Sequence, residues 1–232
     1  MKGRIGFAAM ALWLGFCGCV QAQEQVVVTG SRINPSDEAP NVTFTKRADF
    51  LITHVRVVCD TRDLSQRRQE LKITLRNMVR AAAQTPGIAL GLGDAVIGAL
   101  TEDNFDQIIE PDARADTSRA EVIIKTSVTP NDSFDGATAR ITAYIAKTPK
   151  AGRTEILRDK DWGLTIVSPE QYRDNLITRI VADAKHSAEL FGPDYNVRVT
   201  GLERRVAWIQ RGPLDLALYI PYGLEVLPRS AR

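Results

Sequence analysis

Apolar and polar positions alternate from residue 50 to residue 59. Leu51, Thr53, Val55, Val57 and Cys59 fall on one face, and Phe50, Ile52, His54, Arg56 and Val58 on the other. A period of two with this β-branched content predicts a strand. The period then lengthens. Over residues 63–84, Leu64, Leu71, Leu75, Met78, Val79 and Ala82 make a helical stripe, with Asp63 as its cap and Pro86-Gly87 as its stop. Residues 120–128 return to a strand pattern, with Val122, Ile124 and Val128 facing one way. A second helix, capped by Asp132 or Ser133, runs to about Thr148 and places Phe134, Ala137, Ile141, Tyr144 and Ile145 on one side.

Short strands are predicted at 154–157 and 163–167. Ser168, Pro169 and Gln171 read as a capping box that opens a third helix, ending at Phe191 before Gly192-Pro193. Its stripe is Ile177, Ile180, Val181, Ala184, Ala188 and Phe191. Strands at 196–200, 205–210 and 214–226 finish the chain, with Pro213 and Pro221 confining the last to a sheet edge or breaking it. Helices separated by runs of strands imply an α+β fold: a mixed or antiparallel sheet with long helices packed on one face.

The first 47 residues do not follow these patterns. Lys2 and Arg4 precede an apolar run from Ile5 to Phe16, and Val20-Gln21-Ala22 precedes Gln23. This is the layout of a cleaved export signal, and the run is shorter than the roughly 20 residues a membrane span needs. Cys17 and Cys19 fit a lipid-attachment site poorly, because Phe16 and Cys17 stand where small residues are wanted. The expected organisation is a signal peptide at 1–22, a flexible arm at 23–47 rich in Gly, Ser, Asn and Pro, and one domain at 48–228. A periplasmic location follows, with no transmembrane segment once the signal is removed.

Of 232 residues, 44% are hydrophobic and 25% charged, as in ordinary globular proteins. Losing Lys2 and Arg4 leaves basic side chains equal in number to the 28 acidic ones. A chain near neutrality has no global attraction to nucleic acid. Cys59 alone survives cleavage, which excludes an internal disulfide and clustered-cysteine zinc chemistry.

Candidate chemistry is sparse. Arg68, Lys72, Arg76 and Arg80 recur every four residues, either as an anionic contact surface or as a solvated helix face. Glu102, Asp103 and Asp106 cluster near Asn104, and Asp159 and Asp161 flank Lys160, without the spacing of a calcium loop. His54 and His186 have no second ligand at metal spacing. Cys59 lies in an apolar strand, where a thiol is inert. Gly91-Leu92-Gly93 lacks the third glycine of a dinucleotide fingerprint, since Val96 stands there, so the glycines mark a bend or bulge. Trp162, Trp208, Tyr219 and Tyr222 read as packing residues or as a binding surface. No catalytic residue, metal site or cofactor is expected.

Two resemblances add to this reading. Val55-Arg56-Val57-Val58 through Leu64 to Ala83 is one stretch of likeness to the SIMPL family, the domain of unknown function 541. The helix after Val122-Ile123-Ile124 is another. Leu164-Thr165-Ile166-Val167-Ser168, followed by a helix carrying Ala182, Ala184, Ala188, Leu190 and Gly192, is a third. The likeness implies an exported scaffold without a catalytic signature. The arm, Glu24-Gln25-Val26-Val27-Val28-Thr29-Gly30-Ser31-Arg32-Ile33, is similar to the first mature residues of TonB-dependent outer-membrane receptors. That likeness implies strand pairing with a TonB-type partner through Val26, Val27, Val28 and Thr29.

The functional expectation is a non-enzymatic cell-envelope protein acting through protein contacts, with itself or with another envelope protein. The edge near residues 214–226 is the expected route to oligomers. A TonB-linked accessory is one alternative, and a small-ligand binder or enzyme with a site dispersed in sequence is another.

Overall fold

A computed structural model describes Val26–Val27 and residues 41–93 and 96–229. The expected signal peptide (1–22) and most of the expected arm, including Val28 and Thr29, lie outside the described residues. The chain forms β1 (Val26–Val27), β2 (Phe44–Arg47), β3 (Phe50–Cys59), α1 (Leu64–Gln84), β4 (Ile88–Leu92), β5 (Val96–Ala99), α2 (Phe105–Ile108), β6 (Glu110–Pro111) and β7 (Ser118–Ser127). It continues with α3 (Phe134–Lys147), β8 (Thr154–Arg158), β9 (Gly163–Thr165), α4 (Arg173–Phe191), β10 (Tyr195–Thr200), β11 (Ala207–Gln210), β12 (Asp215–Tyr219) and β13 (Gly223–Pro228).

The two ten-residue strands, β3 and β7, pair along their whole length, from Phe50 opposite Ser127 to Cys59 opposite Ser118. The large sheet grows from this pair in the order β1-β5-β4-β7-β3-β8, with β6 on β7 and β9 on β3. Every ladder is antiparallel. This is the α+β fold that the alternating patterns predict.

Register decides what each face of β3 does. Val55, Val57 and Cys59 point with Ala120, Val122 and Ile124 into a core shared with Leu71, Leu75 and Met78 of α1 and with Ile141 and Tyr144 of α3. The Tyr144 hydroxyl donates to the Met78 carbonyl at 2.7 Å, tying the two helices together. Burying each aliphatic side chain contributes about 1.5–3 kcal/mol.

Leu51, farther back on the same face of β3, enters a second core. There a three-stranded sheet, β11-β12-β2, joins Leu164 and Ile166 with Leu176 and Ile180 of α4. Trp162 packs against both cores. A two-stranded ribbon, β10-β13, lies beside α4.

The helix-free face of the large sheet is divided. His54, Arg56 and Glu121 are exposed. Ile52, Ile97 and Ile123 are buried together with partly buried Phe50 and Val167. Gly91 makes this possible, because a Cβ there would overlap the Ile97 side chain.

Three expectations change, and of the two outcomes open to the last strand the break is the one that forms. Phe44–Arg47, placed in the arm by its sequence, is strand β2 and pairs with Asp215–Leu218. The glycine segment 88–99 is a hairpin, β4-β5, in place of one bent strand. The final strand divides around Pro221: β12 lies in the middle of the three-stranded sheet, and only β13 lies at an edge.

The capping box at Ser168 does not form. Ser168 has a left-handed backbone (φ 46°) and makes no cap bond, and a 3-10 turn over Pro169–Tyr172 precedes α4. Tertiary anchors shape that turn. Glu170 accepts the Val206 N–H at 2.9 Å, and Arg173 donates to the carbonyls of Leu202 and Arg204. Gln171 instead donates to the Val167 carbonyl.

Candidate functional site

Several ionisable groups among the described residues serve one another. Arg68 and Lys72 both reach Asp106, at 3.3 and 2.7 Å, and Arg76 reaches Glu102 at 2.9 Å. Three residues of the basic stripe of α1, Arg68, Lys72 and Arg76, are therefore partnered by Glu102 and Asp106. The anionic contact surface read from the stripe is replaced by this internal pairing. Asp106 is held below the usual carboxylate range first by Lys72 and then by Arg68. Glu102 and Asp106 thus sit against cations, and among the described residues no group of three metal-capable side chains converges.

A buried polar clamp closes one end of the sheet. Glu70 points inward from α1 and is only 8% exposed. Its carboxylate accepts the Thr61 hydroxyl at 2.6 Å, the Arg153 N–H at 3.1 Å, the Cys59 thiol at 3.2 Å and the Gln66 amide at 2.9 Å. The Thr61 hydroxyl leads in lowering its pKa to about 2, against the opposing cost of burial. One turn earlier, buried Arg67 donates to the carbonyls of Thr61, Arg62 and Asp116 and to the Ser118 hydroxyl. Gly152 (φ 53°) passes so close that a Cβ would overlap the Glu70 carboxylate.

Above the clamp is an open cleft of about 420 Å³, lined by Val58, Asp60, Arg114, Gly152, Arg153, Thr154 and Glu155. Asp60 and Arg153 form a two-pronged pair across it, at 2.6 and 2.9 Å. Two acids and two arginines balance there, and the best-placed arginine is already committed. Cys59 is buried and hydrogen-bonded to Glu70, which makes it part of the clamp.

The other sequence candidates do not converge. His54 and His186 are exposed on different elements. Asp159 lies 3.9 Å from Arg56. Trp208 and Tyr219 are buried in the second core region, the Arg158 guanidinium stacks 4.5 Å from the Trp162 ring, and the Tyr222 hydroxyl donates to Asp183 at 3.0 Å. Tyr222's pKa rises to about 12, first through burial and then through Asp183.

The C-terminal end of α4 has the reverse character. Leu176, Ile180 and Ala184 of α4 are buried in the second core. The helical period carries their stripe on to Phe191. The stripe outruns its cover: Phe191 is 54% and neighbouring Leu190 74% exposed. Gly192 (φ 91°) turns the chain into β10, and Tyr195 then brings its ring within 6.2 Å of Phe191.

Tyr195, Val197 and Val199 face one side of the ribbon with Pro228, Val226 and Leu224 opposite them. Tyr195 and Val226 remain exposed. Among the described residues neither ribbon strand pairs with a third strand, so both outer edges carry unpaired backbone groups. Phe191 and Tyr195 thus meet where α4 joins the open-edged ribbon, with Leu190 exposed in the same last turn of α4 and Val226 exposed on β13. The stripe on α4 included Phe191. No local signal shows that its last turn is uncovered, and the sequence marks neither Leu190, Tyr195 nor Val226 as a contact residue.

The arm residues singled out by sequence divide. The backbone of Val26 and Val27 pairs with Ile97 and Val96, at the outer edge of β5. Val28 and Thr29 lie outside the described residues.

No protein-family model matches this chain, and neither a curated protein nor a solved structure matches it.

Proposed function

We propose that this is a non-catalytic contact protein of the cell envelope, exported by its N-terminal signal and working through association of its own copies. The observation that carries the reading is the uncovered apolar end of α4 beside the ribbon. Leu190, Phe191 and Tyr195 cost free energy in water at about 25 cal/mol per Å² of apolar surface, and contiguous exposure of this kind marks protein contacts. The two open ribbon edges add backbone groups that a second strand satisfies. Engagement of the cleft's Asp60 with Arg153 favours a structural role for that end over a reactive one. Among the described residues no helix is long and apolar enough to cross a membrane.

The resemblance to the SIMPL family supports an exported scaffold and rests on the sequence stretches quoted above. Pairing of the arm with a TonB-type partner has weaker support, because Val26–Val27 would first have to leave β5.

Light scattering over a wide concentration range tests the association. The mature chain is expected to form dimers or larger species at micromolar concentration. Leu190→Ser with Phe191→Ser should weaken association at least tenfold while leaving the far-ultraviolet spectrum unchanged. A wild-type chain that stays monomeric at every concentration retires the reading.

A further inference from the structure

Both segments that wall the cleft above Glu70 are held by buried charges of α1. In one, Val58 of β3 lies opposite Glu155 of β8, and the Arg153 N–H donates to the Glu70 carboxylate at 3.1 Å. The other is the loop between β6 and β7, which carries Arg114. There the Asp112 N–H donates to the Thr117 carbonyl at 3.0 Å, and the Arg67 guanidinium donates to the Asp116 carbonyl at 3.0 Å. Each segment has one left-handed residue, Gly152 (φ 53°) and Asp116 (φ 53°).

A left-handed aspartate is a strained backbone, kept only where its surroundings over-determine it. Arg67 and Glu70 are 7% and 8% exposed, and burying charge is costly unless every partner is well placed. Here the partners are the two surface segments, so the buried charges fix the exposed ones above them. Rigid support of this kind is what holds binding groups in place. None of the lining residues belongs to α4 or to the ribbon, so the cleft is distinct from the surface proposed for association.

The charges in the cleft are not all spent on one another. Asp60 and Arg153 neutralise each other through their two bonds. Arg114 and Glu155 remain, both exposed. Arg114 shares Asp112 with Arg119, at 3.5 and 3.6 Å, and is only partly neutralised. Glu155 makes no ion pair among the described residues. The cleft therefore offers one cation and one anion, and a ligand bearing both signs satisfies them together. The arginine fork suits a carboxylate, and the glutamate suits an ammonium. About 420 Å³ lies in the lower part of the range for small-molecule sites. We propose that this cleft binds a small zwitterion, a free amino acid or a short peptide, with its carboxylate on Arg114 and its ammonium on Glu155.

The test follows the backbone amides of the full mature chain by NMR while glycylglycine is added. The amides of Val58, Gly152 and Thr154 should shift saturably, with a dissociation constant in the millimolar range. Acetylglycylglycine lacks the ammonium and glycylglycinamide lacks the carboxylate, and each should bind at least fivefold more weakly. Arg114→Gln should weaken glycylglycine at least fivefold and leave glycylglycinamide unchanged. Glu155→Gln should weaken glycylglycine to the same extent and leave acetylglycylglycine unchanged. Both positions are exposed, so the far-ultraviolet spectrum should not change. Glycine distinguishes the two sources: equal affinity assigns the cleft to free amino acids, and preference for glycylglycine assigns it to peptides.

No saturable shift by about 50 mM glycylglycine overturns the proposal, since that concentration lies well above a millimolar constant. Equal binding of the capped forms overturns it too, as does binding that neither substitution alters. If a substitution disturbs the fold, the capped forms titrated against the native chain decide the outcome by themselves.

Discussion

The two long helices solve opposite problems. α1 turns charged and polar groups inward: Arg67, Glu70 and Thr74 are buried with Leu71, Leu75 and Met78. α4 buries Leu176, Ile180 and Ala184 and then leaves Leu190 and Phe191 in solvent. The first arrangement is stable because every inward polar group has partners. Glu70 has four donors, Arg67 has four acceptors, and the Thr74 hydroxyl accepts the Ala151 N–H at 3.0 Å. The second leaves apolar surface with no partner on the chain described. A buried charge that is fully satisfied points to architecture, and an apolar group left uncovered points outward to another molecule.

The largest effect should come from breaking the clamp under α1. Gly152→Ala places a methyl group against the Glu70 carboxylate at a left-handed backbone position. It should cost about 3–5 kcal/mol, since overpacking and a strained φ add. Urea denaturation would show this as a midpoint shift at constant m-value. An unchanged midpoint would mean that the clamp opens without penalty.

Glu70→Gln sharpens the same point through pH. The folded-state pKa of Glu70 lies at about 2, below its ordinary value of 4.5. The native state therefore favours the ionised form, and the stabilisation is fully present above about pH 4.5. It disappears as the pH falls toward 2, when both states are protonated. The variant should lose about 2–3 kcal/mol at pH 7, and the gap to the native chain should narrow steadily below pH 4.5. A gap independent of pH would assign the loss to shape and not to charge.

At the other helix the signs reverse. Phe191→Ser should change the unfolding free energy of the monomer by less than about 1 kcal/mol, because little burial is lost at an exposed position. Its effect belongs in association. A loss of several kcal/mol would mean that the ring supports the fold, and the contrast between the helices would weaken.

The smallest effect is expected at the surface of α1. Asp106→Asn removes the anion shared by Arg68 and Lys72. Exposed pairs contribute about 0–1 kcal/mol. The difference should shrink further in 0.5 M salt, and thermal melts at two ionic strengths would reveal it.

Periodicity was informative where one face of an element meets one environment. The alternation in β3, the Asp63 cap of α1 and the Ser133 start of α3 appear as read, with Asp63 accepting the Gln66 N–H and Ser133 the Gly136 N–H, whereas Leu64, the first residue of the α1 stripe, is exposed. It failed where distant contacts override local preference. Ser168 is pulled out of its capping role by anchors on Glu170 and Arg173. Phe44–Arg47 looked like arm because four half-buried residues carry too little pattern, and only pairing with β12 makes them a strand.

By itself the sequence determined the fold class, the long helices and the central strands, because spacing and caps act within a few residues. Only the tertiary structure decided that Arg68, Lys72 and Arg76 of the basic stripe pair with Glu102 and Asp106, that Glu70 is a four-donor clamp, and that the end of α4 stands uncovered. Those outcomes join residues as far apart as Glu70 and Arg153. Whether a charge is paired or an apolar side chain covered depends on what the folded chain brings beside it, and no local pattern records that.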